Sequence, residues 1–268
     1  MKYDLNDLSF SDAPNIKVTP PGPQSQEFID FQKAHEGNLV SYARSMPMAV
    51  KCAKGATIED MDGNRYVDLF GGAAVMAAGH SNPDVVAAVQ EALTQQTHML
   101  DFPNPYRMRL VERLTKRLPQ ELSRLSFGGP TGSDAVEMAV KLARFNTKRY
   151  PILAFEGAYH GMTSAALTLC SGKSYKEDFL PLIPEVHFAP YAYCYRCVFK
   201  KERGSCGIEC ADYVEHLFDD PHSGVAKPAA IIIEPIQGEG GSVVPPPEYM
   251  QKLRASCTKH DVLLIADE

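Results

Sequence analysis

Short, almost wholly apolar segments recur along this chain, separated by stretches of helical periodicity, and few folds accommodate both. Ile152–Phe155, Val186–Phe188, Ala229–Glu234 and Val262–Ala266 read as strands, and Leu125–Phe127 as a further one. Between them, helices are expected from Asp134 to about Arg144 and from about Glu248 to Lys259. Upstream, Val85, Val86, Val89 and Leu93 recur at helical spacing, as do Leu110, Val111, Leu114 and Leu118. Strands this apolar are buried on both faces, which predicts an α/β fold with a mostly parallel central sheet flanked by helices.

A smaller α+β part is expected ahead of the sheet. From Ala56 to Phe70 polar and apolar residues alternate around Asp62-Gly63, a hairpin signal. Residues 1 to about 26, with Pro14, Pro20, Pro21 and Pro23, read as an arm to which no core is assigned. The expected division is an arm over 1–30, the N-terminal part of a small domain over 31–75, and a large domain over 76–268 carrying an insertion at 191–212.

With 44% hydrophobic and 22% charged residues among 268, the chain can bury a substantial core, which excludes a disordered or fibrous protein. Its 27 basic against 33 acidic residues leave no positive excess for nucleic acid or an anionic membrane. No stretch approaches the ~18 apolar residues of a membrane helix, and the N-terminus has no apolar signal core. A cytoplasmic protein acting on small molecules is expected, with no nucleic-acid or membrane partner.

Four constellations could carry chemistry. Phe127-Gly-Gly-Pro-Thr-Gly-Ser-Asp134 is a glycine-rich turn opening onto a helix whose inner face is expected to carry Ala135, Met138, Ala139 and Leu142. Amides at such a helix start suit a phosphate, although Thr131 and Asp134 also fit a plain capping box. Phe155-Glu-Gly-Ala-Tyr-His-Gly161 places Tyr159 and His160 just past a strand, where open α/β sheets hold ligands; Tyr159 could stack on a flat cofactor or simply pack. Ile231-Ile-Ile-Glu-Pro-Ile-Gln-Gly-Glu-Gly-Gly241 brings Glu234 and Glu239 to another strand end, as ligand partners or as solvated loop acids. Asp267 ends a fourth apolar run, where a carboxylate could pair with a protonated pyridine nitrogen or merely terminate the strand.

Together and in this order, the four motifs resemble the class III aminotransferases, enzymes of fold type I that use pyridoxal 5'-phosphate (PLP). The resemblance runs from about residue 35 to the end of the chain. It implies that Gly132 and Ser133 bind the PLP phosphate, that Tyr159 beside His160 lies over the pyridine ring, and that Asp267 bonds the ring nitrogen. It also implies substrate-side roles for Glu239, through a mobile arginine, and for Glu234. The resemblance further implies PLP as cofactor, an amino donor and a 2-oxo acid acceptor as substrates, and a homodimer.

Two features depart from the family pattern or refine it. The family's Schiff-base lysine lies downstream of the Asp267 motif, so no catalytic lysine is assigned here, and the 268 residues alone are expected to be inactive. The apolar run Val262–Ala266 passes straight into Asp267-Glu268, which suggests an interrupted chain. The insertion holds Cys194-Tyr-Arg-Cys197, then Cys206 and Cys210. Four thiolates so spaced could close a zinc site, whereas the eight-residue gap and the nearby helix favour reduced cysteines that only pack, so no metal is assigned. The odd total of seven cysteines fits reduced thiols.

The same insertion, with Asp-Asp-Pro-His-Ser-Gly224, resembles the diaminobutyrate–2-oxoglutarate branch, which points to an ω-amino acid such as 2,4-diaminobutyrate and a 2-oxo acid such as 2-oxoglutarate. Two other readings remain open: a non-catalytic remnant or zinc-organised interaction module, and a racemase or aminomutase on the same scaffold.

Overall fold

The computed structural model describes residues 8–37 and 42–268; residues 1–7 and 38–41, parts of the expected arm and small domain, lie outside the described residues. The chain forms two compact units, Met1–Arg113 and Leu114–Glu268.

The first unit contains α1 (Pro23–His35), α2 (Tyr42–Ser45), β1 (Val50–Lys54), β2 (Thr57–Asp60), β3 (Arg65–Val67), α3 (Gly71–Ala74), α4 (Pro83–Gln95) and all but the last two residues of α5 (Pro105–Thr115). Its three strands pair antiparallel in the order β1-β2-β3. The turn between β2 and β3 forms around Asp60. Its carboxylate accepts from the Asn64 backbone N–H at 2.8 Å, the Asn64 side chain at 2.8 Å and the Tyr66 hydroxyl at 2.7 Å. Gly63 takes φ +80° there, a conformation open to glycine at little cost.

The segment expected as an arm is bound along this hairpin. Asn15 and Arg65 exchange backbone bonds at 2.8 Å, and the buried Asn64 accepts from the Lys17 and Val18 amides at 2.8 and 2.9 Å. Asp62 accepts from the Gln24 and Ser25 amides, each at 2.8 Å, satisfying donors at the start of α1. Proline content signals an arm, but Pro23 opens the helix α1 within it, and the polar partners that hold the segment leave no such mark.

The second unit is a parallel sheet of β4 (Ile152–Phe155), β5 (Val186–Ala189), β6 (Ala230–Ile233) and β7 (Leu263–Ala266), in the order β5-β4-β6-β7. Around it lie α6 (Gly132–Thr147), α7 (Ser164–Leu169), α8 (Lys173–Lys176), α9 (Glu209–Asp219) and α10 (Pro247–Lys259). Side chains of β4 and β6 alternate between two cores. Leu153, Phe155, Ile231 and Ile233 pack with Val214, Leu217, Tyr249 and Leu253; Ile152, Ala154, Ala230 and Ile232 pack with Val136, Val140, Ala143 and Leu169. Full burial of each such Leu or Ile contributes about 1.5–3 kcal/mol.

Two expectations need correction. Leu125–Phe127 is not a strand: it has no place in the sheet, and Phe127 is exposed. Two apolar residues around Ser126, without a neighbouring strand to bond, do not make one. Helix α6 also turns a different face inward, burying Val136, Val140 and Ala143 while Leu142 is 57% exposed. The buried stripe keeps the i, i+4, i+7 spacing but lies one residue further along, bringing β-branched and small side chains onto the sheet.

Candidate active site

Chain order fixes where a ligand can sit. From β4 the chain crosses to β5 on one side and then returns to β6 on the other, leaving a crevice at the C-terminal ends of β4 and β6. In open parallel sheets this reversal point is the usual ligand site. Three segments reach it: the loop after β4 with Tyr159 and His160, the loop after β6 with Glu234, and Asp267 directly after β7.

His160 and Asp267 are 107 positions apart, yet His160 Nδ1 lies 2.6 Å from Asp267 Oδ2. The imidazole is fully buried, while the Asp267 side chain is 31% exposed. An ionised carboxylate can only accept, which assigns the proton to Nδ1. His160 Nε2 is buried with no hydrogen-bond partner among the described residues, and full burial of the side chain leaves the ring little room to turn. Its backbone N–H donates to the Cys170 thiol at 3.2 Å, and burial pushes that thiol's pKa up.

Glu234 ties two loops together. One of its oxygens accepts the Tyr159 N–H at 3.0 Å and the other the Gly238 N–H at 2.8 Å. Gln237, 2% exposed, donates to the Glu156 carbonyl at 2.8 Å. The loops approach so closely that a Cβ on Gly240 would stand 2.5 Å from the Gly157 carbonyl oxygen. Tyr159, Glu234 and Asp267, with Pro235, Ile236 and Gly238, line one open cavity of about 560 Å³.

The start of α6 meets the same β4 loop. Ser133 Oγ accepts the Met162 N–H at 3.3 Å, and a Cβ on Gly161, whose φ is +121°, would stand 2.1 Å from that oxygen. Only glycine permits this approach. The expected capping box is present: Thr131 Oγ1 accepts the Asp134 N–H, and Asp134 accepts the Thr131 N–H. Apart from its chain neighbours and its own helix backbone, nothing lies within 4 Å of the position a Gly132 Cβ would take, so that side of the helix start is open. An exposed helix N-terminus with an adjacent hydroxyl suits a phosphate, and the Asp267 carboxylate suits a protonated ring nitrogen, so these residues fit the two poles of PLP.

Gly132, Ser133 and Glu239 are not part of the cavity wall that Tyr159, Glu234 and Asp267 share. Glu239 is exposed and accepts the Tyr175 hydroxyl at 2.5 Å, a bond that, with burial, pushes the Tyr175 pKa up to about 12. Tyr175 in turn sets its ring edge-on to Tyr159 at 5.5 Å. Sequence reasoning passes over Tyr175 and Gln237. Tyr175 stands among polar neighbours with no motif around it, whereas Gln237, inside the Gln-Gly-Glu-Gly-Gly loop, carries a usable signal as a polar residue in an apolar setting.

Cys194, Cys197, Cys206 and Cys210 lie between β5 and the first turn of α9, all unpaired. Burial, then the nearby Cys206, raises the Cys194 pKa, and burial pushes Cys210 to about 11.

Comparison with known proteins bears on this geometry. Residues 40–268 match the family model for class III aminotransferases. The chain belongs to the class III aminotransferase family. Over 248 residues it is 41% identical to the diaminobutyrate–2-oxoglutarate aminotransferase of Haemophilus influenzae, an alignment spanning 91% of this chain and 54% of that protein. It is 36% identical over 265 residues to the alanine/serine racemase of Pyrococcus horikoshii, spanning 95% and 55% of the two. An amine transaminase from an uncultivated Pseudomonas species, solved in its PLP-bound form, superposes with a TM-score of 0.73 at 29% identity, covering 87% of this chain and 55% of that one. The chain therefore has the expected fold type I architecture and spans about half the length of the class III relatives it matches.

Proposed function

We propose that this chain supplies the cofactor-facing part of a PLP-dependent aminotransferase site that moves an amino group between an ω-amino acid such as 2,4-diaminobutyrate and a 2-oxo acid such as 2-oxoglutarate. The observation that carries the reading is the pairing of buried His160 with part-exposed Asp267 at the reversal point of the sheet. A partly exposed carboxylate backed by a buried imidazole is suited to keep a proton on a pyridine nitrogen. Bound PLP supplies an electron sink for the negative charge that develops on the substrate carbon.

The chain's own residues divide the remaining work. Gly132 and Ser133 would hold the phosphate, and Gly161 keeps the β4 loop against them. Asp267 would hold the ring-nitrogen proton, with His160 fixing its carboxylate. Tyr159 would cover the ring face, and Glu234 braces the loop that carries it. Glu239, held by Tyr175, is available to a charged end of the substrate or to an arginine that binds one. Among the described residues no lysine lines the cavity, and the base for proton transfer at the substrate carbon would be the Schiff-base lysine that the family pattern places downstream of the Asp267 motif. Seven unpaired thiols support a reducing, cytoplasmic setting, and the family pattern supports a homodimer.

PLP binding tests the site directly. Equilibrium dialysis of the chain should give saturable, 1:1 PLP binding, weakened roughly tenfold or more in Asp267→Asn, in keeping with the ~1.4 kcal/mol per tenfold change that loss of one charged bond exceeds. Equal binding by Asp267→Asn, Ser133→Ala and the parent chain would remove the assignment. For a protein of the relatives' full length, glutamate formation from 2,4-diaminobutyrate and 2-oxoglutarate tests the reaction. The racemase among the relatives motivates the second reading, in which the α-centre inverts without any 2-oxo acid.

A further inference from the structure

Residues 190–208, which join β5 to α9, hold one short turn of regular structure, the 3-10 helix Cys194–Arg196. Long irregular connections within a compact unit need something to hold them. Here the ends are anchored, since Tyr191, Ala192 and Ile208 are buried in the core, but the middle is not: Tyr195 is 85% and Val198 56% exposed. Tyr193, Cys206 and Cys210 also pack partly against that core, which leaves the middle of the stretch, around Tyr195 and Val198, without apolar cover.

The four cysteines of the segment meet around one small cavity of about 20 Å³, also lined by Tyr193, Arg203 and Pro246. Two come from the 3-10 turn and its cap, Cys194 and Cys197. The other two flank a reversal at Ile208, whose φ of +67° turns the chain so that Cys206 and Cys210, on either side of it, reach the same cavity. An αL conformation is costly for a β-branched residue and persists where the surroundings demand it. None of the four is in a disulfide.

We propose that Cys194, Cys197, Cys206 and Cys210 are the ligands of a tetrahedral zinc site that pins this connection. Two turn-borne pairs, C-x2-C and C-x3-C, facing one cavity are the arrangement from which four thiolates bind zinc at ~2.3 Å each. The four sulfurs stand wider apart than a closed site holds them: among the described residues, the potential ligand atoms grouped within 4.8 Å of one another belong to Glu215, Asp219 and His260. That group is a poorer site, because Lys259 already occupies its acids at 2.6 and 3.2 Å. The thiols have no competing cation within their cavity except Arg203, which bonds Glu248 at 2.8 Å, and Lys201, which pairs with Glu209 at 3.7 Å. Closing the site requires the four sulfurs to draw together around the cavity they share. Thiolates, as soft ligands, select zinc over the hard cations.

The test uses the purified 268-residue chain and zinc alone. Elemental analysis after dialysis should find about one zinc per chain, and Cys197→Ser/Cys206→Ser should retain less than roughly a tenth of that, on the 1.4 kcal/mol-per-tenfold scale. Should the double variant fail to fold, cobalt added to the parent chain decides the matter. Tetrahedral thiolate coordination gives sulfur-to-cobalt charge-transfer bands in the near ultraviolet with intense red d–d absorption, and protects four thiols from a thiol reagent. No stoichiometric metal with thiol reactivity unchanged by added zinc, a disulfide within the quartet, or zinc lost on His260→Ala but kept in the cysteine variant would each overturn the proposal.

Discussion

The two units of this chain are ordered by opposite means. In the second, strands such as β6 are wholly buried and apolar, and the fully buried side chains are mainly Ile, Leu, Val and aromatic. In the first, the buried side chains among the described residues are polar: Ser25, Thr57, Glu59, Asp60 and Asn64. Its large apolar side chains, Phe28, Phe31, Tyr42, Leu69 and Phe70, instead line an open groove of about 900 Å³. One unit gains stability by removing surface from water, whereas the other depends on each buried donor and acceptor finding its partner.

The sharpest break of this contrast would come from truncating the second core. Ile232→Ala should destabilise that unit by about 2–5 kcal/mol in urea unfolding, through lost burial plus the cavity left behind. In the first unit the corresponding weak point is Asn64. Removing its side chain in Asn64→Ala strands the Lys17 and Val18 amides and takes one of two donors from an Asp60 oxygen, at a cost of about 1–3 kcal/mol. Hydrogen exchange should then speed up over residues 15–18 and 57–67 while β4 and β6 stay protected.

Acid separates the units less strongly. Hydrogen bonds from Lys51 and Arg65 hold the Glu59 carboxyl below its usual range, and the bond to His80 does the same for Asp68. A depressed folded pKa contributes stability that is present above the unfolded value of about 4 and is lost as pH falls through the folded one. The first unit should therefore loosen first below about pH 4, seen as exchange at β2 and β3 before β6. The smallest effect is expected at Phe31, 64% exposed: Phe31→Ala should change stability by no more than about 0.5 kcal/mol. A loss as large as that of Ile232→Ala would show that the groove is covered in solution and erase the contrast.

The same contrast explains what a linear reading can reach. β4 and β6 are legible because burial on both faces leaves an unbroken apolar run, and the Asp62-Gly63 hairpin because its turn chemistry is local. The inward face of α6 is misjudged because apolar residues on adjacent stripes compete, and only the sheet decides between Leu142 and Val140. The bound path of residues 15–18 is hidden because its partners, Asn64 and Arg65, are polar and distant in sequence. At the site, Tyr159, Glu234 and Asp267 stand out by their strand ends and their family likeness. Their mutual arrangement does not, since nothing in the linear order pairs His160 with Asp267 or Tyr175 with Glu239.

That pairing across 107 positions has a temporal meaning. A growing chain has made Tyr159, His160 and the start of α6 long before Asp267 is synthesised, and β7 must then dock beside β6 before the carboxylate can reach the imidazole. Any phosphate pocket at α6 can form early, but the acid that would recognise a pyridine nitrogen arrives late. On the proposed roles of Ser133 and Asp267, cofactor capture during biosynthesis would begin at the phosphate and finish at the ring.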